Sequence, residues 1–259
     1  MRCSQLAGTR SKAHLIKYSD SDPPVAINGP DGLVARCGVE AVLFEAVSRH
    51  NETERHAVWR TRQGDNQVRV KQARVPPLPE SDISPELLAL LGPRFKAMPV
   101  LNIFRTLARA PKAFKRFMAW GGYVLSDANS LSARDRELVI LRTGFNWRSG
   151  YEWAQHVRIG LDSGLTEAEI SRIKEGPVAS GWIDHDRALL QATDELTRDA
   201  FIADTTWHAL SDLSEKQRMD LVMTVSQYTQ VSMMLNTFGV QLDEDLVLDP
   251  DLCKGAAAL

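Results

Sequence analysis

From about Arg74 onward, apolar residues recur at the three- and four-residue spacing that is typical of amphipathic helices. No segment of this region alternates between apolar and polar residues with the two-residue period of a half-buried strand. The pattern therefore predicts about eight helices and an all-α fold. Residues that commonly cap or open a helix mark the predicted starts. These are Ser84–Pro85, Pro99, Pro111, Ser132, Ser149, Thr166, Asp184 or Asp186, and Ser214.

Local signals at the helix ends support this assignment. Two of the starts are capping boxes, in which a Ser or Thr and a Glu or Gln three residues later bond each other's backbone N–H groups. The boxes are Thr166 with Glu169 and Ser214 with Gln217, and the C-terminal cap glycines are Gly164 and Gly239. The last predicted helix, from Ser214 to about Phe238, is apolar nearly all round. Such a helix is typical of the centre of a core or of a subunit contact.

The first 73 residues lack this helical pattern. Residues 19–36 are rich in Asp, Pro and Gly, which favours turns, and a short run at 39–48 has the character of a helix. We find no repeat and no catalytic motif in this region. We therefore predict that residues 1–73 form an extension, either mobile or upstream of the true start, and that residues 74–259 form the helical domain. A small helical arm that packs on this domain is the alternative.

Composition and charge argue against several classes of function. The chain has 259 residues, of which 44% are hydrophobic and 25% charged, and its net charge of -2 gives no support to nucleic-acid binding. No apolar run is long enough for a membrane span, and the first twenty residues lack the apolar stretch of a signal peptide. We therefore expect a cytoplasmic protein. Cys3, Cys37 and Cys253 are far apart and form no metal-binding or redox motif.

Two neighbouring predicted helices carry the candidate chemistry. Glu137 lies beside the apolar face of the first helix, residues 132–147, while Glu152 and His156 share one face of the second, residues 149–163. The connecting turn is short, so the helices should pack antiparallel and Glu137 could meet His156. A carboxylate beside a histidine orients the ring and raises its pKa. His156 is therefore a candidate general acid or base, with Glu137 as its partner and Glu152 as a relay or substrate contact.

Two alternatives stay open for these residues. Glu152 and His156 stand four residues apart, which is also the spacing of an ordinary pair on a helix surface. A lone histidine near an apolar seam is often a hydrogen-bonded residue of the core. The spacing alone therefore does not distinguish a catalytic pair from a structural one.

Four further residues are candidates for substrate contact, namely Ser149, Tyr151, Trp153 and Arg142. Arg142 could hold a carboxylate with two hydrogen bonds, although a solvated surface charge is the simpler interpretation. Tyr151 and Trp153 suit a cavity wall or the core. His185 and His208 are weaker candidates, and the aspartates that flank His185 are explained by helix capping. No tight spacing of metal ligands and no glycine-rich phosphate loop occurs, so we expect neither a metal nor a cofactor.

Several segments together resemble the carboxymuconolactone decarboxylase family. They are residues 131–142, 151–156, 164–170, 186–196 and 228–240. The resemblance covers about Val75 to Asp245 and does not reach residues 1–73. It implies an alkylhydroperoxidase D-like helical bundle, a small-molecule substrate and a homo-oligomer, either a trimer or a hexamer.

The family has two well-known branches, and this chain has only part of the residue pattern of the first one. The alkylhydroperoxidase D-like branch uses a glutamate, a C-x-x-C pair and a histidine. Glu137 and His156 match the glutamate and the histidine, but Ser149 and Glu152 occupy the two cysteine positions. A thiol peroxidase needs an attacking thiolate and a resolving thiol. Peroxidase activity is therefore disfavoured.

The other branch decarboxylates γ-carboxymuconolactone in aromatic catabolism. Loss of CO₂ from such a lactone leaves a dienolate, so catalysis needs an oxyanion donor and a general acid, and no metal. Our leading hypothesis is a lyase-like acid–base enzyme for a small lactone or carboxylic acid, with His156 as proton donor. The alternatives are a thiol-dependent antioxidant enzyme and a non-catalytic oligomeric binding protein.

Overall fold

The computed structural model describes residues 69–91 and 99–253, except for the side chain of Cys253. The predicted helix at 39–48, Cys3 and Cys37 lie outside these residues, and the division of the chain at residue 73 stays a prediction. Within the described ranges the chain forms ten α-helices and no strand. The predicted all-α fold is therefore confirmed.

The helices follow one another with short connections, after a 3-10 turn at Glu80–Asp82. They are α1 Pro85–Leu90, α2 Asn102–Leu107, α3 Pro111–Leu125, α4 Ala133–Asn146, α5 Gly150–Asp162, α6 Glu167–Glu175, α7 Asp184–Asp199, α8 Asp204–Ala209, α9 Glu215–Phe238 and α10 Pro250–Cys253. The pattern did not predict the two short helices α8 and α10, because one turn or so of helix contains too few residues to show a period.

Most helix starts follow from local sequence. The side chains of Ser84 and Ser132 accept a hydrogen bond from the backbone N–H three residues later. Both predicted capping boxes are complete, and Gly239 ends α9 with a left-handed backbone at φ 68°. One start differs from the prediction, since the helix assigned to Pro99 begins only at Asn102. Helix α7 begins at Asp184 as predicted, but without any side-chain cap.

Helix α4 lies at the centre of the core. It packs against α5, α7 and α9, and its residues from Leu138 to Leu141 are almost completely buried. Helix α9 packs against α3, α4, α5 and α7 and buries residues on several faces. Its central place agrees with its nearly all-round apolar pattern. The trio and the tyrosine described below lie on α4, α5 and α9.

The turn between α4 and α5 makes these helices antiparallel, as predicted. A Cβ atom on Gly144 would lie 3.5 Å from Glu152 Cγ, and one on Gly160 would lie 3.8 Å from Glu137 Cβ. The end of α4 thus faces the start of α5, and the start of α4 faces the end of α5. Small residues at both places let the two helices approach closely, which brings their buried charged side chains together.

The segment before the 3-10 turn contacts the end of α9. The backbone N–H groups of Arg74 and Val75 both donate to the Phe238 carbonyl, and Gln241 Nε2 donates to the Val70 carbonyl. Among the described residues, no helix has both the length and the apolar character needed to cross a membrane.

Candidate active site

Glu137, His156 and Glu152 form a buried trio between α4 and α5. His156 Nδ1 lies 2.6 Å from Glu137 Oε2, and His156 Nε2 lies 2.9 Å from Glu152 Oε1. None of the three residues is more than 6% exposed. The Glu152–His156 pair is therefore not a pair on a helix surface. Each nitrogen of the ring is held by a carboxylate, so the imidazole has a fixed orientation and neither nitrogen is free.

The two carboxylates control the protonation of the ring. Burial lowers the pKa of His156, but the charges of Glu137 and Glu152 and their hydrogen bonds outweigh this effect and raise the pKa to about 10. The trio therefore keeps a proton at neutral pH. His156 thus holds an exchangeable proton beside a carboxylate. The trio can act as an acid by releasing that proton and as a base by taking up a proton on the carboxylate.

Tyr228 of α9 completes this cluster. Its ring meets the His156 ring edge-on, and the residue is 4% exposed. Burial, followed by the charges of Glu152 and Glu137, raises the pKa of Tyr228 well above its usual value, so the phenol stays protonated. Among the described residues its hydroxyl makes no hydrogen bond. Tyr228 had no predicted role, because apolar residues occur nearly all round α9 and their period does not mark one inward face.

A cavity of about 110 Å³ lies beside the trio, between α2, α3, α5 and α9. Most of its wall is aliphatic or aromatic. The lining residues are Leu101, Ile103, Phe104, Phe117, Met118, Gly121, Gly122, Leu125, Tyr151, Glu152, Gln155, His156, Ile159, Gln227, Tyr228 and Val231. Glu152 and His156 line the cavity, whereas Glu137 lies behind them. A mostly apolar concave site with a few polar groups is typical of small-molecule binding.

Asp243 holds two of the lining side chains in place. Its Oδ2 accepts hydrogen bonds from the Tyr151 hydroxyl and, at 2.8 Å, from Gln155 Nε2. Its Oδ1 accepts from the backbone N–H of Asn102 at 2.7 Å, so it also caps the start of α2. Burial raises the pKa of Asp243 despite these bonds. Asp243 was not predicted from the sequence, because it lies in a segment with no periodic pattern.

Three of the predicted substrate contacts do not line the cavity. Ser149 is completely buried at the start of α5, and its Oγ has no partner among the described residues. Trp153 faces the core, where its ring packs on Phe145 with centroids 5.6 Å apart. It follows Glu152 directly and so points about 100° away around the helix. We therefore do not retain Ser149 or Trp153 as substrate contacts.

Arg142 is also directed away from the cavity. It pairs with Asp194 of α7 through two hydrogen bonds of 2.6 and 2.8 Å and donates to the Ile173 and Lys174 carbonyls at the end of α6. Its side chain is 11% exposed, so it is not a solvated surface charge either. All of these interactions join α4 to α6 and α7. Arg142 therefore has a structural role, and we do not assign it to substrate binding.

A second cluster of charged groups lies where α4 and α7 begin. Asp135, His185 and Asp186 each offer a potential metal-ligand atom there. However, Asp186 accepts two hydrogen bonds from Arg134, and His185 Nδ1 lies 2.5 Å from Asp212 Oδ2. The aspartate at 186 is thus an ion-pair partner rather than the helix cap that we expected. We interpret this cluster as an ion network and assign no metal to it.

Comparison with known proteins places the trio within a family segment. Residues 111–195, from the start of α3 into α7, match the sequence model of the carboxymuconolactone decarboxylase family. The matched segment contains Glu137, Glu152 and His156, while Tyr228 and Asp243 lie beyond it. A search of curated proteins found no significant match.

Solved structures of the alkylhydroperoxidase D type share the fold. A peroxidase-related protein with an AhpD core from Ralstonia eutropha JMP134 has a TM-score of 0.59 and 20% identity, over 66% of this chain and 94% of that one. A protein of unknown function from Agrobacterium tumefaciens, for which an AhpD antioxidant role has been suggested, has a TM-score of 0.50 and 22% identity, over 54% of this chain and 96% of that one.

A debrominase has the same fold. A cysteine-to-alanine variant of Bmp8, solved in complex with 2,3,4-tribromopyrrole, matches with a TM-score of 0.56 and 14% identity, over 66% of this chain and 91% of that one. The low identities mean that these likenesses describe the fold alone.

Proposed function

We propose that this chain, whose residues 111–195 match the carboxymuconolactone decarboxylase family, is an acid–base enzyme that moves a proton to or from a small, mostly apolar molecule. The observation that carries this proposal is the buried trio of Glu137, His156 and Glu152 at the wall of an apolar cavity. The reaction needs no redox step. Decarboxylation of a small lactone or carboxylic acid is one reaction of this class, and isomerisation through an enol is another.

Glu152 is the group that exchanges a proton with the ligand. His156 donates its Nε2 proton to Glu152 Oε1, so it does not present a free N–H to the cavity. The Nε2 proton passes from His156 to Glu152, Glu152 gives it to a carbon of the ligand, and Glu137 holds the neutral ring through Nδ1. In the reverse direction the Glu152 carboxylate takes a proton from the ligand. His156 thus stores the proton, and Glu137 orients the ring.

Tyr228 and the cavity wall support the same chemistry. The protonated Tyr228 phenol, which has no acceptor among the described residues, is suited to donate a hydrogen bond to an enolate oxygen as negative charge develops there. The apolar wall formed by residues such as Phe117, Met118 and Leu125 lowers the local dielectric constant, which strengthens such a bond. This arrangement supplies an acid, a base and an oxyanion donor from the chain's own side chains.

A peroxidase is the weaker proposal. The sequence has Ser149 and Glu152 where the alkylhydroperoxidase D-like branch has cysteines, and neither side chain can form or resolve a disulfide. A non-catalytic binding protein would use the same cavity but would not need a proton store. Measured turnover separates that alternative from an enzyme.

The test combines a substrate screen with four variants. The purified full-length protein is incubated in deuterium oxide with carboxymuconolactone, uncarboxylated lactones, phenols and 2,3,4-tribromopyrrole, and NMR follows CO₂ loss and deuterium incorporation. For an active compound, His156→Gln, Glu137→Gln and Glu152→Gln should each lower the rate on the order of 10²–10⁴-fold. The double variant of Glu137 and His156 should be little worse than the less active single variant.

Unfolding midpoints of the same proteins distinguish a catalytic from a structural trio. Glu167→Gln, at an exposed glutamate at the start of α6, is the matched control and should leave rate and midpoint unchanged. Additive rate losses, or a fully active His156→Gln enzyme, would contradict the relay. Variants that lose stability while turnover per folded molecule stays constant would indicate a structural trio.

A homo-oligomer belongs to the same proposal. Met219 and Met233 of α9 and Trp120 of α3 are large apolar side chains that remain exposed in the single chain. Such residues are typical of surfaces that a partner covers. Light scattering on the eluting protein would give its mass, and a monomer would contradict this part of the proposal.

A further inference from the structure

The trio at the cavity wall carries a net negative charge. At neutral pH the imidazolium ring of His156 lies between Glu137 and Glu152, so the three side chains together carry a charge of minus one, and a proton shift within the trio does not change that charge. Among the described residues, no lysine or arginine lines the cavity. Arg136 of α4 is a buried basic residue whose charge reaches Tyr228, but it donates to the Ser126 carbonyl and is not among the described lining residues. A bound anion would therefore meet the negative charge of the trio, and none of the described lining residues offers it a cation.

The apolar wall increases the effect of this charge. Two like charges about 4 Å apart repel each other far more strongly in a partly buried site than in water, enough to lower affinity by more than about a hundredfold. The wall around Glu152 is formed largely by side chains such as Leu125, Ile159 and Val231, which cannot solvate an anion. A carboxylate ligand would lose its water there, and a hydrogen bond from the Tyr228 hydroxyl would not offset that loss together with the repulsion from the trio, so the site disfavours it.

Few hydrogen-bonding groups remain available to a ligand. Tyr151 and Gln155 already donate to Asp243. Gln227 lines the cavity, is 3% exposed, and its Oε1 has no partner among the described residues. This buried, unpaired acceptor and the Glu152 carboxylate both need a donor. A ligand that satisfies them must supply an O–H or N–H group.

The volume limits the ligand to about one ring. A dry protein cavity of roughly 150 Å³ holds a benzene molecule, and this cavity measures about 110 Å³. We infer that the cavity takes an uncharged single-ring compound with at least one O–H or N–H donor, such as a phenol, a cyclic enol or an N–H heterocycle, and rejects carboxylates. This inference rests on the site of the proposed function. It narrows the substrates of that site to neutral molecules and argues against a carboxylate substrate for decarboxylation.

The experiment measures binding and does not depend on turnover. Fluorine NMR titrations of the full-length protein use three probes of similar size, namely para-fluorophenol, para-fluorotoluene and para-fluorobenzoate. We expect the phenol to bind at least about tenfold more tightly than the toluene, because a hydrogen bond to a charged acceptor adds to affinity. The benzoate should not bind at concentrations that saturate the protein with the phenol.

Two variants assign the selectivity to named groups. Glu152→Gln removes the charge and keeps the shape, so benzoate affinity should rise at least about tenfold while phenol affinity falls. Gln227→Met removes the amide and keeps the volume, so phenol affinity should fall while toluene affinity is unchanged; this variant carries the test if Glu152→Gln does not fold. Glu167→Gln, on the surface, should leave all three affinities as they are.

Specific outcomes would overturn the inference. They are benzoate binding as tight as phenol binding in the unaltered protein, phenol binding no tighter than toluene binding, or no binding of any probe. These outcomes are separate from failure of the proposed function. Selective binding without turnover of any compound would refute the enzyme and leave the ligand class standing. Turnover that depends on the trio, together with equal binding of benzoate and phenol, would support the enzyme and refute the ligand class.

Discussion

The ring of Tyr228 meets the ring of His156 edge-on, with centroids 5.0 Å apart and ring planes at 86°. This contact joins α9 to α5 at the cavity, and it depends on the tyrosine ring rather than on its hydroxyl. Tyr228→Phe keeps the ring and removes only the hydroxyl, which has no partner among the described residues. The unfolding midpoint should therefore change little. If the hydroxyl stabilises an enolate, the rate should fall on the order of 10²–10³-fold.

Kinetics and thermal unfolding of the same preparation check this expectation. Tyr228→Leu serves as the comparison, because it also removes the edge-on contact and should lower stability. A Tyr228→Phe enzyme with an unchanged rate would exclude the hydroxyl as the oxyanion donor and leave the ring as a wall residue.

The pH dependence of activity should report the proton of the trio. Burial lowers the pKa of His156, but Glu137 and Glu152 raise it to about 10. A raised folded-state pKa means that the proton is present at neutral pH and is lost as the pH rises through about 10. If the trio acts as the acid, kcat/KM should be level near neutrality and fall on an alkaline limb near that value. The profile of kcat/KM between neutral and strongly alkaline pH gives the limb directly.

The pH profile of the residual activity of Glu137→Gln is the internal control. Loss of one negative neighbour should lower the pKa of His156, so the alkaline limb should move to lower pH. A limb that stays in place in this variant would mean that another group titrates there.

Local features of the fold were predictable from the sequence. The capping boxes at Thr166 and Ser214 depend on residues three apart, and both form as expected. The contact between Glu137 and His156 was predictable because two helices joined by a short turn pack antiparallel, and the two residues are only 19 positions apart. In each case the interacting groups belong to one helix end or to neighbouring helices.

Interactions across long stretches of chain could not be predicted in this way. Tyr151 meets Asp243, which is 92 positions away, and Arg142 meets Asp194, which is 52 positions away. No period or local motif relates such pairs. The placement of Tyr228 was equally inaccessible, because α9 is buried on several faces and its pattern cannot show which side chains face a cavity. The sequence therefore indicated the trio but not the wall opposite it.

The chain should not turn over peroxide with a dithiol donor. The positions that would carry the two thiols are Ser149 and Glu152, and Glu152 is engaged with His156. Peroxide consumption in the presence of a dithiol should therefore equal the rate without protein. Robust turnover that survives replacement of Cys3, Cys37 and Cys253 by serine would refute this argument. Activity that disappears with one of those cysteines would identify a thiol site that the sequence analysis missed.

Gly121→Ala should separate stability from ligand binding. Gly121 lies within α3 and lines the cavity, and an added Cβ would make an ordinary contact of 3.6 Å with Gln227 Nε2. Replacing a helical glycine by alanine stabilises a helix by roughly 0.5–1 kcal/mol. The added methyl group should also reduce the space for a ring, so para-fluorophenol should bind more weakly. Thermal unfolding and the fluorine titration test both effects, and tighter binding would show that Gly121 does not limit the cavity.

His185 should make the stability of the fold depend on pH. Its Nδ1 lies 2.5 Å from Asp212 Oδ2 and its Nε2 lies 3.4 Å from Asp135 Oδ2. Burial lowers the pKa of His185, but the hydrogen bond to Asp212 and the charges of both aspartates raise it above 6.5 overall. Because the folded state holds this proton more tightly than the unfolded state does, protonated His185 stabilises the fold. The contribution is complete at pH values below the unfolded-state pKa. This contribution is lost as the pH rises through the folded-state value.

His185→Gln should therefore lower stability in acid and leave it nearly unchanged in alkali. The side chain is 26% exposed, so solvent screening limits the loss to less than about 1 kcal/mol. For a domain of this size that corresponds to a fall of roughly 2–4 °C or less in the unfolding midpoint. Midpoints measured near pH 5.5 and near pH 9 should show the difference only at the lower pH. His208→Gln, at an exposed histidine at the end of α8, is the control. A loss of the same size at both pH values would mean that His185 acts through packing rather than through its charge.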